Sequence, residues 1–124
     1  MSRNLTIAAL LLAFPVAARA QSDSGQTYLD FQVEQPVRVR NAVAPVYPPR
    51  LRRDKTVGEV VVQFVVDERG SAQMNSFKVI RSNDAEFSEA VRRAVSMTQF
   101  IPAEIGGRKV RMLVQQPFHF AVAS

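Results

Sequence analysis

The chain has 124 residues, 16 Lys and Arg against 11 Asp and Glu, a formal charge of +5 and no cysteine. That length holds one small domain, and the missing thiols exclude a disulfide framework, a thiolate metal site and a cysteine nucleophile. Without residues 1–20, which carry Arg3 and Arg19, 14 basic residues face 11 acidic ones, a balance that fits a solvated surface and argues against nucleic-acid binding.

Residues 1–20, MSRNLTIAALLLAFPVAARA, read as a cleavable signal peptide. Arg3 forms a short charged region, Leu5 to Ala18 an apolar run, and Ala18-Arg19-Ala20 a small-x-small site before Gln21. The competing reading is an uncleaved anchor; against it, the run is shorter than the ~20 residues a spanning helix needs, and Pro15 interrupts it. Export, to the periplasm in a Gram-negative cell, is the expectation. Residues 21–30 are expected to be a flexible tail, and residues 31–124 the folded domain.

Tyr28–Arg40 alternates apolar and polar residues around Pro36, which predicts short extended pieces. Pro45-Val46-Tyr47-Pro48-Pro49 cannot lie in a central strand, but a proline suits the first turn of a helix that continues to Asp54. Arg50, Arg52 and Arg53 then form an exposed basic face. Gly58–Arg81 predicts a β-hairpin. Val60, Val62, Phe64 and Val66 share one face of its first strand, Asp67-Glu68-Arg69-Gly70 supplies turn chemistry, and Ala72–Arg81 returns with Phe77 and Val79 on one face. Ser82–Phe100 predicts an amphipathic helix with Asn83 as N-cap and Glu86 completing a capping box. Its stripe of Phe87, Ala90, Val91, Ala94 and Met97 is the cover for the hairpin. Pro102 ends the helix and Gly106-Gly107 marks a turn. Arg108–Val122 is the last strand. Because Pro117 cannot donate to a ladder, this strand is expected at a sheet edge for part of its length, where it could pair with another extended chain. The fold expected is α+β, a small antiparallel sheet of the hairpin plus the last strand, with two helices on it.

No catalytic constellation is present in the sequence. His119 has no second His or Cys for a metal site, there is no nucleophile elbow, and no glycine loop cradles a phosphate. The expectations are no enzyme, no cofactor, no metal, no small-molecule substrate and no nucleic-acid partner.

An ordered set of motifs spans most of residues 31–120. It comprises Pro45-x-Tyr47-Pro48; Gly58-Glu59-Val60-Val61-Val62-x-Phe64-x-Val66-Asp67-x-x-Gly70; Val79-Ile80-Arg81-Ser82; Phe87-x-x-Ala90; Phe100-x-Pro102-Ala103; and Gly107-x-x-Val110. This set resembles the C-terminal domain of the TonB energy-transducer family. The resemblance implies a periplasmic protein-binding module for TonB-dependent transport. Such domains bind the TonB box, a short extended segment of a TonB-dependent outer-membrane receptor, by strand addition along the final strand, here Val110, Met112, Val114, Gln116 and Phe118. Pro45, Tyr47 and Pro48 would fix the entry of the first helix. A receptor or another periplasmic protein is the expected partner. The alternatives are an anchored energy transducer and a structural subunit or homodimer formed through the same edges. The chain also departs from the family pattern. Ala44 stands where some members carry a receptor-contacting Gln, and Thr98 replaces an aromatic near the end of the second helix. Gln21–Ala44 is no Pro-rich spacer; fully extended, it would reach at most about 80 Å.

Overall fold

A computed structural model describes residues 25–123; the leader lies outside the described residues. The elements run β1 (Thr27–Tyr28), a 3-10 turn (Asp30–Gln32), β2 (Arg38–Asn41), α1 (Pro49–Arg53), β3 (Gly58–Val66), β4 (Ala72–Ser82), α2 (Ala85–Met97), β5 (Gln99–Ile101), β6 (Ala103–Ile105) and β7 (Arg108–Phe120). The main sheet has the order β1-β7-β3-β4, with β6 also on β7; β2 and β5 form a separate pair. Only β1 runs parallel to its neighbour. Among the described residues, no helix is long and apolar enough to cross a membrane.

The centre is β3. Val60, Val62, Phe64 and Val66 are 0% exposed, as the alternating pattern predicts. Each such burial contributes about 1.5–3 kcal/mol before entropy is subtracted. Phe87, Val91 and Val95 of α2, Leu51 of α1, and Phe100 and Phe120 complete the cluster. The stripe on α2 is rotated slightly from the expected one: Val95 is buried and Ala90 half-buried, while Met97, expected in the core, is 59% exposed. The cap also differs by one residue. Asp84 is the N-cap and accepts from the Glu86 amide at 2.8 Å. Asn83 instead accepts from the Glu59 amide and donates to the Val57 carbonyl, both at 2.9 Å, tying the helix start to β3. Helix α2 ends three residues before Phe100, because Gln99–Ile101 pairs with β2 as a strand. Thr27–Tyr28, inside the stretch expected as a tail, pairs with Arg111–Met112.

Two motif glycines are required by packing. A Cβ on Gly58 would stand 2.6 Å from the Phe87 ring. Gly70 has φ +87, and a Cβ there would stand 2.1 Å from the Phe100 carbonyl oxygen; the same approach lets the Phe100 amide donate to the Gly70 carbonyl at 2.9 Å. The β3–β4 turn is held by Asp67, only 7% exposed. Its carboxylate accepts from the amides of Arg69 at 2.9 Å and Ser71 at 3.0 Å, and from the Gln73 side chain. Burial by itself would push this carboxyl up. The donors from Ser71, Arg69 and Gln73 outweigh burial and hold it below the usual carboxylate range.

Gly70→Ala is expected to destabilise the fold by about 3 kcal/mol, through left-handed strain and the clash with Phe100, read as a fall in thermal midpoint. The depressed Asp67 pKa places its contribution to stability above the unfolded carboxylate value near 4; the contribution is lost as pH falls through the lower folded value. Asp67→Asn is therefore expected to unfold more easily at neutral pH, by about 1–2 kcal/mol, with the gap to the natural protein narrowing as the pH falls below about 4; denaturant titrations across that range read both.

Candidate functional site

The two outer strands of the sheet differ. β4 is bulged against β3: the register shifts between Val61 and Val62 and again between Gln63 and Val65. In the second bulge, around Met74–Ser76, the Ser76 hydroxyl accepts from the Val65 amide at 2.9 Å where a ladder carbonyl would otherwise stand. Bulges of this kind twist and interrupt an edge, which hinders pairing with another chain. β7 follows β3 with no shift, from Gly58 opposite Phe120 to Val66 opposite Met112. On the far side of β7, β1 reaches only Arg111 and Met112. The Tyr28–Met112 pairing uses the Leu113 amide, and among the described residues no strand pairs with that side from Val114 to Phe120.

The parity of this edge follows from hydrogen bonds across β3. In an antiparallel pair each residue turns both backbone groups to the same side, and successive residues alternate. The amides of Val65 and Glu59 point toward β4, to Ser76 and Asn83. Their partners across the other ladder are Leu113 and His119, so these turn their backbone groups away from β3, as do Gln115 and Pro117. Pro117 fits because its missing N–H falls on the open side. Met112, Val114, Gln116 and Phe118 have the opposite parity and spend their backbone groups on β3, and Val110 pairs with Ala103 of β6. The side chains of Val110, Met112, Val114 and Phe118 pack against the two core clusters. The edge is thus where Pro117 indicated, but its free N–H groups are those of Gln115 and His119, one register from the residues named by sequence; the Leu113 amide is taken by the Tyr28 carbonyl of β1. Pro117 is the sequence signal for this parity, because a residue without an N–H is tolerated only where it faces the open side.

The helix-entry residues form a unit beside the far end of β7. Pro48 is the N-cap of α1 and Pro49 opens its first turn. The Tyr47 hydroxyl donates to the Thr56 carbonyl, and its ring meets Phe87 and Phe120 edge-on, at centroid distances of 5.7 and 5.5 Å. Pro45 lies half-buried in a largely apolar groove with Val43, Val46, Ala94 and Met97. The charges at the rim of that groove are already paired: Glu86 with Arg50, and Glu89 with Arg92 and Arg93. Arg50 is therefore a link between α1 and the start of α2, while the patch expected from Arg50, Arg52 and Arg53 is divided. Thr98 donates to the Ala94 carbonyl at 2.8 Å and accepts from the Val43 amide at 3.2 Å, so it ties the groove wall to the helix end. Among the described residues, no cluster of His, Cys, Asp and Glu could hold a metal ion.

The family profile described as Gram-negative bacterial TonB protein C-terminal matches residues 43–122. The chain belongs to this family. The fold is similar to the solution NMR structure of the Pseudomonas aeruginosa TonB C-terminal domain, with a TM-score of 0.61 and 25% identity over 71% of this chain and 88% of that one. No curated protein matches the sequence. In this family member, residues 25–42 precede the matched region yet fold onto it. Glu34 and Gln35 bond to Glu104 through backbone groups at 2.9–3.1 Å, and the Glu34 carboxylate accepts from the Gly106 amide at 2.8 Å.

Tyr47→Phe, which removes the bond to Thr56 and keeps the ring packing, is expected to lower stability by about 1 kcal/mol, read by urea denaturation.

Proposed function

We propose that this protein is a periplasmic protein-binding module of TonB-dependent transport that takes up an extended segment of an outer-membrane receptor by strand addition to β7. The observation that carries this reading is the unbulged, unpaired side of β7 from Val114 to Phe120, in a chain whose other outer strand is interrupted by bulges. Family membership supports a receptor as the partner. An added strand would lie about 4.8 Å from β7 and take its hydrogen bonds from the amides of Gln115 and His119 and the outward carbonyls of Leu113, Gln115, Pro117 and His119. The main chain would supply affinity, and side chains beside the edge would supply selectivity. Tyr47, Pro45 and Pro48 then act on the fold, by seating α1 against Phe87 and Phe120, rather than on the peptide.

Gln115→Pro tests the edge. The Gln115 amide faces away from β3, so its removal leaves the β3–β7 ladder intact, as Pro117 already does. Binding of a TonB-box peptide, followed by fluorescence anisotropy, is expected to weaken by roughly tenfold or more, a loss of at least about 1.4 kcal/mol, with an unchanged circular dichroism spectrum. Equal affinity in a folded variant would refute strand addition at β7.

A further inference from the structure

The segment preceding the family-matched region builds a wall beside the open edge. After β1, the chain turns through Asp30–Gln32 and returns past Pro36 and Val37. Between this wall and Met112–Gln115 lies a concavity of about 400 Å³, lined on the wall side by Leu29, Asp30, Pro36 and Val37. That size falls within the range of small-ligand clefts. It lies beside Gln115, the first residue of β7 past β1 with a free amide, where the end of an added strand would project a side chain. The lining is mixed: Leu29, Pro36, Val37, Met112, Leu113 and Val114 are apolar, Gln63 and Gln115 are polar, and Asp30 is its one charged residue. Asp30 is exposed, and among the described residues no cation is paired with it. The wall as a whole is acidic in a basic chain: residues 27–37 carry Asp30 and Glu34 and no Lys or Arg. The Glu34 carboxylate is already engaged by Gly106, which leaves Asp30.

Resting on the reading of β7 as a docking edge, we infer that the 27–37 segment makes a selectivity pocket for a lysine or arginine side chain of the docked strand. The aliphatic stem lies against Leu29, Pro36 and Val37, and the cation sits beside Asp30. Long basic side chains suit such a place because the stem packs while the head stays at the water boundary. A glutamate there would meet Asp30 as a like charge, and a leucine would fill the apolar floor but leave Asp30 without a partner. The parallel pairing of β1 with Arg111 and Met112 closes this end of the edge, so the basic residue would fall near one end of the bound segment and not at its centre.

The test uses the full chain and ten-residue peptides of alternating Thr and Val, with Lys, Leu or Glu placed at each position in turn, read by fluorescence anisotropy. At one position near an end, Lys is expected to bind about threefold tighter than Leu, and tighter again than Glu, a size appropriate to an exposed ion pair. Asp30→Lys, a substitution on an exposed turn, is expected to invert the order of Lys and Glu at that position, and Gln115→Pro to weaken every peptide. If Lys, Leu and Glu bind alike at every position, or if the order survives Asp30→Lys, while Gln115→Pro still weakens binding, the pocket is refuted and the docking edge stands. If no peptide binds the natural protein, or Gln115→Pro leaves binding intact, the docking edge fails and the pocket with it.

Discussion

The structure depends on one strand being covered on three sides. β3 presents Val60, Val62, Phe64 and Val66 to α2 and gives its two edges to β4 and β7. Every other arrangement follows from that demand. Gly58 lacks a side chain because the Phe87 ring must reach the start of β3. Gly70 lacks one because β5 must pass close to the hairpin turn. Tyr47 stands edge-on to Phe87 and Phe120, so the short helix α1, too brief to persist alone, is held by aromatic contact and by Leu51. The motif residues that mark the family are thus mostly residues of close approach, and their spacing records which elements touch.

The sheet treats its two outer strands in opposite ways. β4 is blunted by bulges and by the polar side chains Asn75, Lys78 and Arg81. β7 is regular and carries a proline whose missing donor falls on the open side. A proline facing β3 would break the ladder, whereas one facing outward costs the fold little and marks the edge. The preceding segment narrows the edge further: β1 closes one end, and the turn at Asp30–Gln32 raises a wall. The family-matched region and the segment that precedes it therefore meet at Leu113–Gln115.

Much of this was legible in the sequence. The period-two run of β3, the Asp67–Gly70 turn, the amphipathic helix and the long last strand each have a pattern longer than a chance run, and Pro117 located the edge. The rest was decided by tertiary contact. β5 and β6 are three residues each on either side of Pro102, too short to show a period. Asn83 and Asp84 are both good caps, and the choice fell to Asp84 because Asn83 is used by Glu59 and Val57. Met97 continues the expected stripe in sequence, but the buried face is centred on Phe87, Val91 and Val95, which leaves Met97 at its margin on the groove side, 59% exposed. Thr27–Tyr28 carries too little pattern to be told from a tail, and its order comes from the edge it meets. The parity of β7 has one sequence signal, Pro117, whose missing donor has to face the open side and so places Gln115 and His119 there with it.

The unshifted ladder between β3 and β7 also has a kinetic meaning. The β3–β4 hairpin and α2 are close in sequence and can assemble early, whereas the partner strand for the other side of β3 follows them all in the chain. Contacts between such distant segments form late, because the closing loop is long. Until β7 arrives, the most deeply buried strand of the molecule stands with one side bare, and that is the stage at which edge-to-edge aggregation is most favoured. The same regularity that leaves one side of β7 open thus makes the unfinished protein dependent on rapid capture of its own last segment.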